Sequence, residues 1–228
     1  MAYIIGRTMG FFLLWFIVKP LRQIYGNKKC IYINTQILHD LKNQSFIVVS
    51  NHIKPRRGKL VRALSMPYDA YILRKMFLKF GIKVTALTSY DSLGIAKTKK
   101  AKWIQNKIKA PITKGIIRSI DLIPVNRKEN DKETIQDMKT KIKQNYWIGI
   151  FPEGTWFRGF RKSRKLHSGM AVLSKRYNLP ILPVYIDAYN LNKKPEIRIG
   201  KPILSSESNY SIVESVRTQL NLLKLQQI

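Results

Sequence analysis

Apolar positions along the chain follow two regimes. Near the start they are almost unbroken: AYIIGRTMGFFLLWFIV (2–18) carries Arg7 as its only charge, and Lys19, Pro20 and Arg22 follow. Its uninterrupted core at 11–18 falls short of the ~20 apolar residues of a comfortable span. The segment therefore predicts a marginal span or an interfacial helix, with Trp15 near the headgroups. From residue 45 short apolar runs alternate with amphipathic stretches. Runs at 46–49, 82–87, 122–125, 146–151 and 181–186 predict strands, and 197–199 predicts an edge strand. Residues 131–144 place acids first and lysines later, which suits a helix dipole. Residues 208–223 have helical spacing at Ile212, Val216, Leu220 and Leu223. This alternation predicts an α/β fold, a mixed, largely parallel central sheet flanked by helices, with an N-terminal apolar membrane-associating helix. The corresponding division is a membrane-associating segment at 1–30 and one folded domain at 31–228.

Charge changes the picture. Lys and Arg number 42 against 13 acids, a net charge of +29 over 228 residues. Such an excess points to a polyanionic partner, a nucleic acid or an anionic membrane face. Lysine-rich composition alone would scatter the charge, but whole stretches lack acids. None lies between Ser92 and Ile120, where eight Lys and Arg fall, and none between Gly154 and Ile186. With Trp103 and several isoleucines among its lysines, the first stretch reads as a membrane-facing surface. A single cysteine, Cys30, excludes an internal disulfide and fits a reducing compartment. The histidines at 39 and 167 show no metal-ligand spacing.

Four segments carry candidate chemistry. SFIVVSNH (45–52) sets His52 just beyond a strand, where functional side chains of α/β folds collect. WIGIFPEGTWFRG (147–159) stops a strand at Pro152 and turns through Glu153, Gly154 and Thr155. Gly154 permits positive φ or close backbone approach, and such a turn can present N–H groups to an anion. Arg158 and Arg161 follow it. DLIPVNR (121–127) ends a strand on Arg127, whose guanidinium fork matches phosphate. LPILPV (179–184) is an apolar strand bracketed by prolines. Taken singly, each also reads as a structural histidine, an ordinary turn, a solvated arginine or a plain core strand.

In this order, the four segments resemble the 1-acylglycerol-3-phosphate acyltransferase family of glycerolipid synthesis, over about residues 45–202. That family has a His, four residues and an Asp; an apolar segment ending in Arg; Phe-Pro-Glu-Gly-Thr, matched unchanged at 151–155; and an apolar strand with Pro. Two departures stand out. Sixteen residues separate His52 from the next acid, Asp69, which sits in MPYDAYILRKMF like the family's Asp and its following helix. The added segment carries Lys54, Arg56, Arg57, Lys59 and Arg62 and no acid, so 53–64 is expected to project as a loop while Asp69 still meets His52. Trp156 stands where the family often has Arg, leaving Arg158 or Arg161 to compensate.

The resemblance implies an acyltransferase domain at 31–228 that moves a fatty acyl group from acyl-CoA or acyl carrier protein to the hydroxyl of a lysophosphatidic-acid-like glycerolipid, in phospholipid biosynthesis. His52 would be the general base and Asp69 its orienting carboxylate. Arg127, Glu153, Gly154, Thr155, Arg158 and Arg161 would bind substrate, with Glu153 organising the turn or meeting acceptor hydroxyls. It implies no metal and no cofactor beyond the acyl donor. The expected partners are an anionic membrane surface, the glycerolipid acceptor and the thioester donor, with no nucleic acid, at the cytoplasmic face of a membrane. Two other readings remain at this level. The long insertion fits a catalytically inactive lipid-binding family member. The charge alone fits a basic nucleic-acid-binding protein, although no RNA-binding signature accompanies it.

Overall fold

The computed structural model describes residues 1–12, 30–41, 43–53, 68–90, 103–126, 132–155, 157, 159–189 and 193–226. In chain order its elements begin with α1 (Ala2–Phe12), β1 (Ile31–Ile33), α2 (Ile37–Leu41), β2 (Ile47–Ser50), α3 (Tyr68–Lys79) and β3 (Val84–Ser89). A π-turn (Gln105–Lys109) then leads into α4 (Ala110–Ser119), β4 (Ile123–Val125), α5 (Lys132–Lys143) and β5 (Trp147–Ile150). The chain ends with α6 (Gly169–Tyr177), β6 (Ile181–Asp187), β7 (Glu196–Ile199) and α7 (Asn209–Leu225). Two units emerge, 1–27 with 85–143, and 28–84 with 144–228.

In the second unit the strands are apolar because helices cover both faces, which is what parallel sheets require. β2 is buried at all four positions and pairs in parallel with β5 on one side and β6 on the other. β7 runs antiparallel to β6, and β1 adds in parallel to β7. The sheet is thus mixed and largely parallel, with helices packed against it. Residues 197–199 are not an edge strand as expected: β7 lies between β6 and β1, and Ile197 and Ile199 are buried. The three-residue β1 takes the edge and carries too short a run to signal itself. The core centres on Trp147, against Phe46 at 4.9 Å and Phe77 at 5.3 Å between ring centroids. Helix α7 starts where the Ser208 hydroxyl accepts the Ser211 N–H at 3.0 Å, a local cap. It buries Ile212, Val216, Leu220 and Leu223, the stripe its spacing foretold. Helix α6 ends on Asn178 at φ 49°, a left-handed position that asparagine tolerates.

In the first unit β3 pairs in parallel with β4, and Thr134 of α5 donates its hydroxyl to the Pro124 carbonyl at 2.7 Å. Helices α1 and α4 lie close because small residues face each other. A Cβ on Gly115 would sit 2.5 Å from the Tyr3 carbonyl oxygen and 2.9 Å from the Arg7 nitrogen. Gly6 and Gly10, a G-x-x-x-G pair on α1, are the buried residues of that helix. This is how two helices approach when little side chain separates them.

Part of the acid-free run 92–120 finds its counter-charges within the chain. Arg118 bonds Glu133 at 2.5 Å and Asp137 at 2.6 Å, and Lys114 pairs with Glu133. Acids absent from the local sequence arrive on α5. Burial disfavours the Arg118 charge, but its bonds to Tyr3, Asp137 and Glu133 outweigh that and hold its pKa above the usual value. Residues 92–102 of the run lie outside the described residues, as do residues 13–18 of the apolar stretch 2–18 and residues 54–64 of the expected loop. Among the described residues no helix is long and apolar enough to cross a membrane.

Candidate active site

The site is built within the second unit, where β2 ends. Asn51 is fully buried and continues the pairing of β2 with β6 through its side chain. Its Oδ1 accepts the Ile186 N–H at 2.8 Å, and its Nδ2 donates to the Ile186 carbonyl and to the Tyr189 hydroxyl, each at 2.9 Å. Burial lifts the Tyr189 hydroxyl well above its ordinary pKa, and the Asn51 bond pulls only partly the other way.

The next residue, His52, is held on every side. Its Nδ1 lies 2.5 Å from Asp69 Oδ2, which also accepts the Ile53 N–H at 2.8 Å. Asp69 Oδ1 accepts the Ala70 N–H at 2.8 Å. A carboxylate that takes these N–H groups fixes Nδ1 as a donor, so Nε2 carries the ring's basic lone pair. Asp69 is buried in the first turn of α3, where the helix dipole favours a negative charge. The Phe151 ring stacks on the imidazole at 4.3 Å and 18°.

The turn after β5 holds the His52 backbone. Glu153 Oε2 accepts the His52 N–H at 2.7 Å, and the His52 carbonyl accepts the Phe157 N–H at 3.1 Å. The other Glu153 oxygen pairs with Arg164, whose Nη1 also donates to the Gly159 carbonyl at 2.9 Å. Gly154 has φ 67°, the left-handed conformation that makes glycine the natural residue in this turn. The arrangement is a base with an oriented tautomer beside a rigid turn, which suits removal of a proton from an attacking hydroxyl.

Residues 101–187 match the family model described as Acyltransferase. That match takes in the middle of the chain and supports a kinship with acyltransferases. Among solved structures, the fold is similar to the crystal structure of the 1-acyl-sn-glycerophosphate (LPA) acyltransferase PlsC from Thermotoga maritima. The TM-score is 0.51 at 16% identity, covering 100% of this chain and 80% of that one. No curated protein matches the chain. The matched stretch takes in the Phe-Pro-Glu-Gly-Thr turn, while His52 and Asp69 precede it.

Against the acyltransferase expectations, the structure brings His52, Asp69, Glu153 and Gly154 together. Ile53 is buried at this site, so the projecting segment expected at 53–64 cannot begin before residue 54. Both Glu153 oxygens are engaged within the chain, which places this carboxylate as a brace of the turn. Thr155 and Arg161 are exposed beyond it, and Arg127 and Arg158 lie outside the described residues. Asn51, Phe151 and Arg164 were not singled out from the sequence. Arg164 had one available signal: Glu153 is followed by a long run of basic residues with no acid, so its charge had many possible partners nearby. Among the described residues no cluster of three His, Cys, Asp or Glu could hold a metal ion.

Proposed function

We propose that this chain is an acyltransferase that moves an acyl group from a thioester, acyl-CoA or acyl carrier protein, to the hydroxyl of a lysophosphatidate-like glycerolipid in phospholipid synthesis. The contact between His52 and Asp69 at the end of β2 is the observation that carries it. Nε2 takes the proton as the acceptor oxygen attacks the thioester carbonyl. The tetrahedral intermediate then collapses, the C–S bond breaks, and the departing thiolate receives the proton from the imidazolium. Asp69 steadies that imidazolium through Nδ1. General-base assistance of this kind contributes ~10²–10⁴ in rate. No enzyme nucleophile is required, so the lone Cys30 has no part in the chemistry.

The acceptor's phosphate is assigned to Arg127, Arg158 and Arg161, beside the Gly154–Thr155 turn. PlsC, whose fold is similar, is a 1-acyl-sn-glycerophosphate (LPA) acyltransferase, which supports this acceptor class. A bilayer-resident anionic acceptor also gives α1 and the start of the α4 region a use. Ile4, Ile5, Met9, Phe11 and Phe12 are exposed on α1, and Trp103 and Ile108 are exposed near Lys107 and Lys109. Apolar side chains flanked by lysines favour an anionic membrane face, at ~1 kcal/mol per basic residue near the surface. The chain would act from that face on the cytoplasmic side.

The test is turnover by the purified full chain in lipid–detergent micelles. Both donors are offered with 1-acylglycerol-3-phosphate, glycerol-3-phosphate and a 1-acylglycerophosphocholine, beside the His52→Ala variant. Thioester consumption that depends on the lysophosphatidate and on His52 is expected. Turnover undiminished in His52→Ala, or none with any acceptor, would overturn the assignment.

A further inference from the structure

We propose that Arg164 is a positioning residue of this site, a single guanidinium that holds both residues on which the peptide groups of His52 hang. The inference rests on the acyl-transfer reading above. His52 donates its N–H to Glu153 and accepts the Phe157 N–H at its carbonyl. Arg164 reaches both partners. Its Nη1 pairs with the second Glu153 oxygen, and its guanidinium carbon lies 3.4 Å from the Phe157 ring centroid. A planar guanidinium can bond along its edge and stack on its face at once, which an ammonium cannot.

The pair is desolvated. The Glu153 side chain has no exposed surface and that of Arg164 only 16%. Removing the guanidinium therefore leaves a buried carboxylate without its counter-charge, the situation in which a side chain changes conformation or takes up a proton. In either case the bond to the His52 N–H changes. The imidazole is set by its backbone on one side and by Asp69 and Phe151 on the other, so a loosened backbone misaims Nε2 at the attacking hydroxyl. A displacement of about 1 Å in such a group costs ~10²-fold in rate. Neither Arg164 nor Glu153 is assigned to the acceptor's phosphate in the reading above, so the loss is expected on kcat.

Arg217 supplies the control. From α7 its Nη1 donates to the carbonyls of Lys162 (2.8 Å) and Arg164. It anchors the same loop through the main chain and makes neither the Glu153 nor the Phe157 contact that defines Arg164's role. A general loop-holding role would make the two arginines equivalent, and the positioning role makes them different.

The experiment uses the full chain with acyl-CoA and 1-acylglycerol-3-phosphate. It compares Arg164→Ala, Arg164→Lys, Arg217→Ala, Glu153→Gln and the double variant Arg164→Ala/Glu153→Gln. Proton NMR follows the downfield Nδ1–H signal of His52, assigned by its loss in His52→Ala. In Arg164→Ala kcat should fall by about 10²-fold with both KM values far less affected. Lysine should restore part of it, and the double variant should be no worse than Arg164→Ala alone, because both changes break one linkage. Arg217→Ala should lower the melting temperature while keeping kcat and the signal. Wild-type kcat in Arg164→Ala, an equal kcat loss in Arg217→Ala, or additive losses in the double variant would each overturn the proposal. If Arg164→Ala fails to fold, Arg164→Lys decides: an intermediate kcat at unchanged KM supports the role, and a wild-type kcat overturns it. If the wild type transfers no acyl group, the acyl-transfer reading falls. The signal then decides alone, its loss in Arg164→Ala with retention in Arg164→Lys supporting the role and its persistence in both overturning it.

Discussion

Replacing Asp69 by Asn removes one charge and almost no volume, which makes it the sharpest test of how His52 works. The Asp69 side chain has no exposed surface and takes three N–H groups, from His52, Ile53 and Ala70. An amide offers one oxygen and one NH₂. With the oxygen toward His52 and Ile53, the NH₂ confronts the Ala70 N–H; turned round, it confronts the other two. Either way at least one buried donor loses its acceptor, a cost of ~1–3 kcal/mol. For a chain of 228 residues that lowers the melting temperature by about 2–12 °C. The kinetic cost is larger. The imidazolium loses a charge-assisted bond worth ~1.5–3 kcal/mol, and the ring loses the partner that fixes its tautomer. Together these predict a kcat reduced by about 10²–10⁴, the full worth of a positioned general base. KM should change little, since Asp69 is buried behind the histidine. The assay is thiol release from acyl-CoA, read with a thiol reagent, for which Cys30 adds at most one equivalent of background. A kcat within about tenfold of wild type in folded Asp69→Asn would refute the coupling of this carboxylate to the base.

Three further outcomes follow from the site and its surroundings. Arg127→Ala should raise KM for a phosphate-bearing acceptor by roughly 10–150-fold, from a lost charge-assisted contact, and leave KM for the donor nearly unchanged; equal effects on both would count against the phosphate assignment. Gly115→Leu should lower the free energy of unfolding by a net of up to about 2 kcal/mol in denaturant titration, because overpacking at ~1–3 kcal/mol exceeds the ~0.8 kcal/mol gained by removing a helical glycine; an unchanged midpoint would mean that the close approach to Tyr3 is relieved without cost. The Lys114 bond, opposed by burial and aided by Arg118, holds the Glu133 carboxyl below 4.5. A carboxyl depressed on folding contributes stability that is present above its unfolded pKa and lost as pH falls through the folded value, so stability should decline below about pH 4.5 and Glu133→Gln should flatten that decline. Because the Glu133 side chain is 45% exposed, the contribution should stay under about 1 kcal/mol.

The apolar runs that became β2, β5 and β6 could be read directly, since strands buried on both faces need continuous apolar residues and a few neighbours suffice to show it. The turn at Phe151–Thr155 was equally legible, because a left-handed Gly154 after a strand-ending proline is a local demand of the backbone. The stripe on α7 followed from its spacing alone. By contrast, β1 is three residues long and exists because β7, far along the chain, pairs with it, a contact that no local pattern announces.

The pairing of His52 with Asp69 was expected from the resemblance, and packing brings the two, seventeen positions apart, to 2.5 Å. Other partnerships among charged groups were decided only by the tertiary structure. The acid-free run up to Ile120 looked uniformly basic, yet α5 brings Glu133 and Asp137 onto two of its cations. Glu153 was open to organising the turn or meeting acceptor hydroxyls, and it has both oxygens engaged because Arg164 and the His52 backbone converge on it. The division has a physical reason: hydrophobic periodicity and turn chemistry act over a few residues and are written in their order. A buried charge must find its counter-charge somewhere in the folded chain, and folding alone decides which one stands within reach.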